Sequence, residues 1–223
     1  MEALHRFAKR RELFVIEDMA EAHGVPIHEK SNAACYSFYR NKIIAGEEGG
    51  MIYFQDPSHA RRARLLRNMG FPTDQSYEHI PRGINGRMSN SHAKLILDSL
   101  ARVNLNLGKR REIEQWYDKY VPLEYHMPAR DVPWVYDLRL RNVNNKPVVS
   151  ELQKQGIKAR LGFLPISAQQ EYLGPWKHLV AYEASREVLY LPIETSMTES
   201  QVRSIADRLQ TAIAKASFQN VDF

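Results

Sequence analysis

The chain of 223 residues holds one cysteine, Cys35. No intrachain disulfide can form, and the composition fits a protein kept in a reducing cytoplasm. Long apolar runs are also lacking. No stretch approaches the roughly 20 apolar residues that a membrane span needs, so no membrane contact is expected. The opening segment, MEALHRFAKRRELF, is too charged for a signal peptide and has no apolar centre. Internal repeats and low-complexity segments are absent. Charge of one sign does not dominate, because the net charge is only +5. The densest basic runs, Arg61-Arg62-Ala63-Arg64 and Lys109-Arg110-Arg111, fall in helical patterns and read as solvated faces. Nucleic acid is therefore not expected as a partner.

What is present is an ordinary globular composition, with 43% hydrophobic and 26% charged residues. Helical and strand patterns alternate, which predicts an α/β fold. Residues 2–11 read as a short helix. Leu13–Glu17, Ala34–Phe38 and Met51–Phe54 read as strands. Asp56 is placed to cap a helix over Asp56–Arg67, with Pro57 at its first position. Gly70–Arg87 is loop-rich. One long helical pattern runs over Ser91–Tyr120, with a bend expected at Gly108. Pro122, Pro128 and Pro133 break the pattern and predict a domain boundary, giving residues 1–121 and 122–223. In the second part, strands are predicted over Val135–Leu140, Ala159–Phe163 and Glu187–Leu191. Helices are predicted over Pro147–Gln155 and Thr198–Ala214, the latter capped by Ser196 or Thr198 with Glu199 and Gln201 following.

The chemistry concentrates near the N-terminus, in VIEDMAEAHG and CYSFYRNKIIAGEEGGMIYF. Asp18 ends a predicted strand, where α/β folds bind ligands. A carboxylate there can keep a pyridine nitrogen protonated, or simply cap the next segment. Lys42 lies between a predicted strand and the Gly49-Gly50 turn. It is either a solvated loop lysine or an amine able to form a Schiff base and carry a proton. Ser37 offers a hydroxyl at a strand end, suited to a phosphate oxygen. A lysine and an aspartate of this kind are what a pyridoxal phosphate (PLP) enzyme takes from its protein.

Taken together, EDxAxAxG followed by SFxxxKxxxxExGG resembles the DegT/DnrJ/StrS family of PLP-dependent nucleotide-sugar aminotransferases, of fold type I. GINGRMSNSHAKLILDSLARVNLNLGKRREI is similar to that family's NYRM(S/T)N segment and following helix. GIKARLGFLPISAQQEY resembles its GIxTRxxFxPxHxQ segment, and LYLPIETSMTESQVRSIADRL its C-terminal helix. The match runs in order along the whole sequence and corresponds to the C-terminal ~60% of a family member. It implies that residues 1–121 are a partial PLP-binding large domain with its long interdomain helix, and 122–223 the small C-terminal α/β domain.

The resemblance implies roles for particular residues. Asp18 would contact the pyridine nitrogen, Lys42 form the internal aldimine, and Ser37 bind the cofactor phosphate. Asn85 would reach the phosphate of a neighbouring subunit's cofactor, and Arg87 and Arg160 lie near the substrate or form plain ion pairs. Glu21 stands where the family usually has glutamine beside the cofactor ring. Met19 replaces a small residue, Ser167 replaces the histidine of PxHxQ, and the glycine turn reads Glu47-Glu48-Gly49-Gly50. The glycine/serine/threonine phosphate loop, the aromatic residue that stacks on the ring and several strands of the large domain have no counterpart here.

Two functions follow from this. One is a PLP-dependent aminotransferase part, passing an amino group from glutamate to a keto group of a nucleotide-linked sugar by a ping-pong path through pyridoxamine phosphate. It would act as a homodimer or with a partner chain supplying the N-terminal half. The other is a non-catalytic homologue that folds and associates without binding PLP.

Overall fold

A computed structural model of the chain describes residues 1–72, 79–172 and 179–218. It divides into two compact units, Met1–Leu105 and Asn106–Phe223.

The first unit is built on a three-stranded sheet in the order β1-β2-β3, formed by β1 (Ile16–Asp18), β2 (Ala33–Ser37) and β3 (Gly50–Phe54). β1 runs parallel to β2 and β3 antiparallel to it. Helix α1 (Glu2–Arg10) precedes the sheet, and α2 (Pro57–Arg67) and α3 (Asn90–Leu100) follow it. The Asp56 side chain accepts from Ser58 N–H at 2.7 Å, which satisfies a donor left over at the start of α2, and Pro57 opens the helix. A small core gathers Phe38, Ile44 and Ile96, with Tyr36 and Val103 packed against it.

The second unit carries β4 (Tyr136–Arg139), β5 (Arg160–Leu161) and β6 (Val188–Leu191), in the antiparallel order β4-β6-β5. Helices α4 (Val103–Tyr120), α5 (Asn145–Lys154), α6 (Leu179–Glu187) and α7 (Glu199–Phe218) complete the helical set. Its core is the larger one. Ile113, Tyr117, Leu138, Leu140, Val148, Leu152, Leu189, Val202, Ala206 and Leu209 are all fully buried. Thr198 and Gln201 form a reciprocal cap at the start of α7. Thr198 N–H donates to Gln201 Oε1 at 2.9 Å, and Gln201 N–H donates to Thr198 Oγ1 at 3.4 Å.

The structure differs from the expectations at several elements. The single helix over 91–120 is two, since Ala101 ends α3 and α4 begins at Val103. Gly108 lies inside α4. The apolar spacing runs through the break, so periodicity could not reveal it. The two compact units divide between Leu105 and Asn106, within α4, and Ile113, Tyr117 and Val121 pack into the second core. Helix α6 was not anticipated. None of its residues is buried. β1, β4, β5 and β6 are shorter than predicted, β5 most of all, whereas β2 keeps its expected length and β3 is one residue longer. Ser167, Gln169 and Gln170 of the SAQQ segment lie in short 3-10 turns and their flanks.

Candidate active site

Register places the first two groups. Asp18 pairs with Cys35, and Ser37 lies two residues further along β2. Directly paired residues share a face, and so do residues two apart in a strand. Asp18 and Ser37 therefore stand on one face, at the carboxyl ends of two parallel strands, where open α/β sheets take their ligands. Asp18 is exposed and one of its oxygens accepts from Ala20 N–H at 3.0 Å. Met19 is turned inward, 4% exposed, with its N–H donating to Cys35 O at 2.8 Å. The bulk at this position is thus absorbed by the core.

Lys42 sits on the loop that joins β2 to β3. The loop is pinned at its base by Phe38 N–H to Gly49 O (2.8 Å) and Gly46 N–H to Phe38 O (2.8 Å). It is pinned at its side by Ser99 on α3, whose Oγ accepts from Ala45 N–H at 3.1 Å and donates to Ile43 O at 3.4 Å. Ile43 and Ile44 are buried. At Gly46 an added Cβ would lie 2.3 Å from Ile96 Cγ1 and 2.8 Å from His92 O, so only glycine lets α3 come this close. The lysine is presented by a fixed loop.

From that loop Lys42 Nζ donates to Glu21 Oε1 at 3.0 Å, an ion pair between a largely buried lysine side chain (11% exposed) and a carboxylate 43% exposed. Glu21 comes from the turn after β1, closed by Ala22 N–H to Met19 O at 3.1 Å. Two residues on, His23 is 2% exposed, with its ring near Tyr36 and Phe38 at centroid distances of 5.9 and 5.8 Å. Among the described residues neither ring nitrogen has a partner of full hydrogen-bonding geometry, the Ser37 backbone being a weak contact at most. Burial first, and then the positive charge of Lys42, lower the His23 pKa below the ordinary histidine value, against a smaller upward pull from the Ser37 backbone. Positive charge on the ring is thus disfavoured.

The structure thus brings Asp18, Glu21, Ser37 and Lys42 to the end of one sheet. Asn85 and Arg87 belong to the same unit but are organised around the end of α2. Asn85 bridges Asn68, and Arg87 donates to Asn68 Oδ1 at 2.8 Å; both are exposed. Arg160 is exposed on β5 of the second unit, paired with Tyr190 in register. His23 and Ser99 were not singled out in the sequence. His23 left one signal, a histidine two residues beyond Glu21 in a short apolar turn. Ser99 left none, since a serine in an amphipathic helix is commonplace.

The model of the DegT/DnrJ/EryC1/StrS aminotransferase family matches residues 1–210. The chain belongs to this family. It is 30% identical over 235 residues to the GDP-perosamine synthase of Caulobacter vibrioides, covering 96% of this chain and 62% of that one. Streptomyces venezuelae DesV, solved in complex with a ketimine intermediate, shares 28% identity at a TM-score of 0.80, over 95% of this chain and 61% of that one. Helicobacter pylori PseC, an aminotransferase involved in the biosynthesis of pseudoaminic acid, has the same fold at a TM-score of 0.84 and 21% identity, over 96% and 63%. The chain spans about 60% of the length of such relatives. The α/β fold expected from the sequence is thus that of the family's solved structures over this part of their length.

The donor set suits the cofactor such enzymes use. A carboxylate on β1, a hydroxyl on β2 and an amine on the β2–β3 loop lie at one end of the sheet, group types that could serve a pyridine nitrogen, a phosphate oxygen and an aldehyde.

Proposed function

We propose that the chain is part of a PLP-dependent aminotransferase that moves an amino group from glutamate to a keto group of a nucleotide-linked sugar. The observation that carries this reading is Asp18 and Ser37 on one face of a parallel strand pair, with Lys42 on a rigid loop after the second strand. When bound, the cofactor supplies an electron sink for the carbon that carries the amine. Asp18 holds a proton on the ring nitrogen set against it. Ser37 donates to a phosphate oxygen. Lys42, as free amine, accepts a proton from carbon and, as ammonium, returns it. Asn85 is offered to a neighbouring subunit's phosphate, and exposed Arg87 and Arg160 to substrate anions.

Lys42 and Asp18 are tested first. Incubation with PLP, borohydride trapping and peptide mass spectrometry should locate a pyridoxyl group on Lys42, lost in Lys42→Ala. Because no phosphate loop is found in this sequence, weak binding is expected from the chain alone. Labelling spread evenly over surface lysines, and unchanged in Lys42→Ala, would sink the reading. The non-catalytic alternative, folding and association without PLP, is favoured by one observation: Lys42 is engaged by Glu21 where the family usually has an amide. The same trapping experiment separates the two.

A further inference from the structure

We propose that Glu21 is a positioning residue that engages Lys42 Nζ in an ion pair, so that the amine reacts only once that pair is broken. The inference rests on the reading of Lys42 as the reacting amine. Exposed ion pairs are usually worth little, because two long side chains must be ordered to make them. Here the ordering has already been done. The Lys42 loop is fixed by Ser99 and the close approach of Gly46 to α3, and the Lys42 side chain is largely buried. Glu21 is delivered by a hydrogen-bonded turn directly off β1. The neighbouring His23 ring is buried, and that burial disfavours a competing positive charge on it.

A glutamine at position 21 would still accept the hydrogen bond from Lys42 but would bring no negative charge. The carboxylate therefore makes the stronger, charge-assisted hydrogen bond to Lys42. Before the nitrogen lone pair can attack a carbonyl carbon, one proton must leave Nζ, to Glu21 or to water, and the pair must part. On this account Glu21 makes entry of an aldehyde at Lys42 slower than an amide would.

The test needs no cofactor. Cofactor-free protein and Glu21→Gln are treated briefly with acetic anhydride, a small neutral acylating reagent. Acylation at Lys42 is quantified by peptide mass spectrometry against exposed Lys9 on α1 as internal reference. Glutamine keeps the shape and the acceptor oxygen, so a merely structural role would leave the ratio unmoved. The expected result is a rise at Lys42 of roughly two- to fivefold, the factor carried by a partly exposed pair. Glu21→Ala is expected to move Lys42 in the same direction, and thermal unfolding of each variant checks the fold. Unchanged or slower acylation of Lys42 in folded Glu21→Gln overturns the proposal. Borohydride trapping with PLP is run in parallel. Faster trapping together with faster acylation supports the proposal. Faster acylation with no trapped adduct in either protein supports the hold exerted by Glu21 and sinks the cofactor reading instead.

Discussion

At the scale of single residues, His23 shows how an unremarkable position becomes a constraint. Its ring is buried beside Tyr36 and Phe38, with Lys42 nearby. Burial and Lys42 lower its pKa in the folded state below the ordinary 6.5. The unfolded chain therefore takes up a proton at a pH where the folded one does not. Stability attached to His23 is present above the unfolded pKa and is lost as pH falls from there toward the folded value. The drop in urea midpoint between about pH 7.5 and about pH 5.5 should be larger in the wild type than in His23→Phe. Equal drops in the two proteins would refute this account. The same neighbourhood shows what a sequence alone hides. Glu21 reads as a departure from a family pattern, but its 3.0 Å contact with Lys42 exists only because a turn after β1 and a loop after β2 are folded against each other.

At the scale of elements, caps and turns were legible because their chemistry is local. Asp56-Pro57 and Thr198-x-x-Gln201 announce helix starts within four residues, and both form the expected hydrogen bonds. Thr198→Ala should cost about 1 kcal/mol, through the lost acceptor for Gln201 N–H. The readout is a lower urea midpoint with an unchanged slope. No shift in the midpoint would mean that solvent replaces the cap at no cost. The division between α3 and α4 was not legible, and neither was α6. In both cases the signal is tertiary. The apolar spacing is continuous across Ala101, and no residue of α6 is buried.

At the scale of the molecule, the first unit keeps an unusual surface. Ile16 on β1 is 59% exposed, and Met51, Ile52 and Tyr53 on β3 are 50%, 54% and 45% exposed. Within the three-stranded sheet, β1 and β3 are the outer strands, and each carries these apolar side chains. Open edges with apolar faces favour pairing with further polypeptide. The expected partner is a second copy or a chain that supplies further strands. Light scattering should report a mass above the 25.8 kDa of one chain, and Ile16→Lys with Ile52→Lys should lower it. A clean monomer at high concentration would count against association.

The amino-acid sequence by itself determined the family and the residue types of the candidate site, because motifs such as EDxAxAxG and SFxxxKxxxxExGG place Asp18, Ser37 and Lys42 by local spacing. It also determined the main strands and the caps, whose hydrogen bonds close within a few residues. Only the tertiary structure decided the pairing of Glu21 with Lys42, the burial of His23, the clamp of Ser99 on the lysine loop and the place where the two units part. Each of these joins segments distant in the chain, and no local pattern encodes a contact whose two halves are set by different elements.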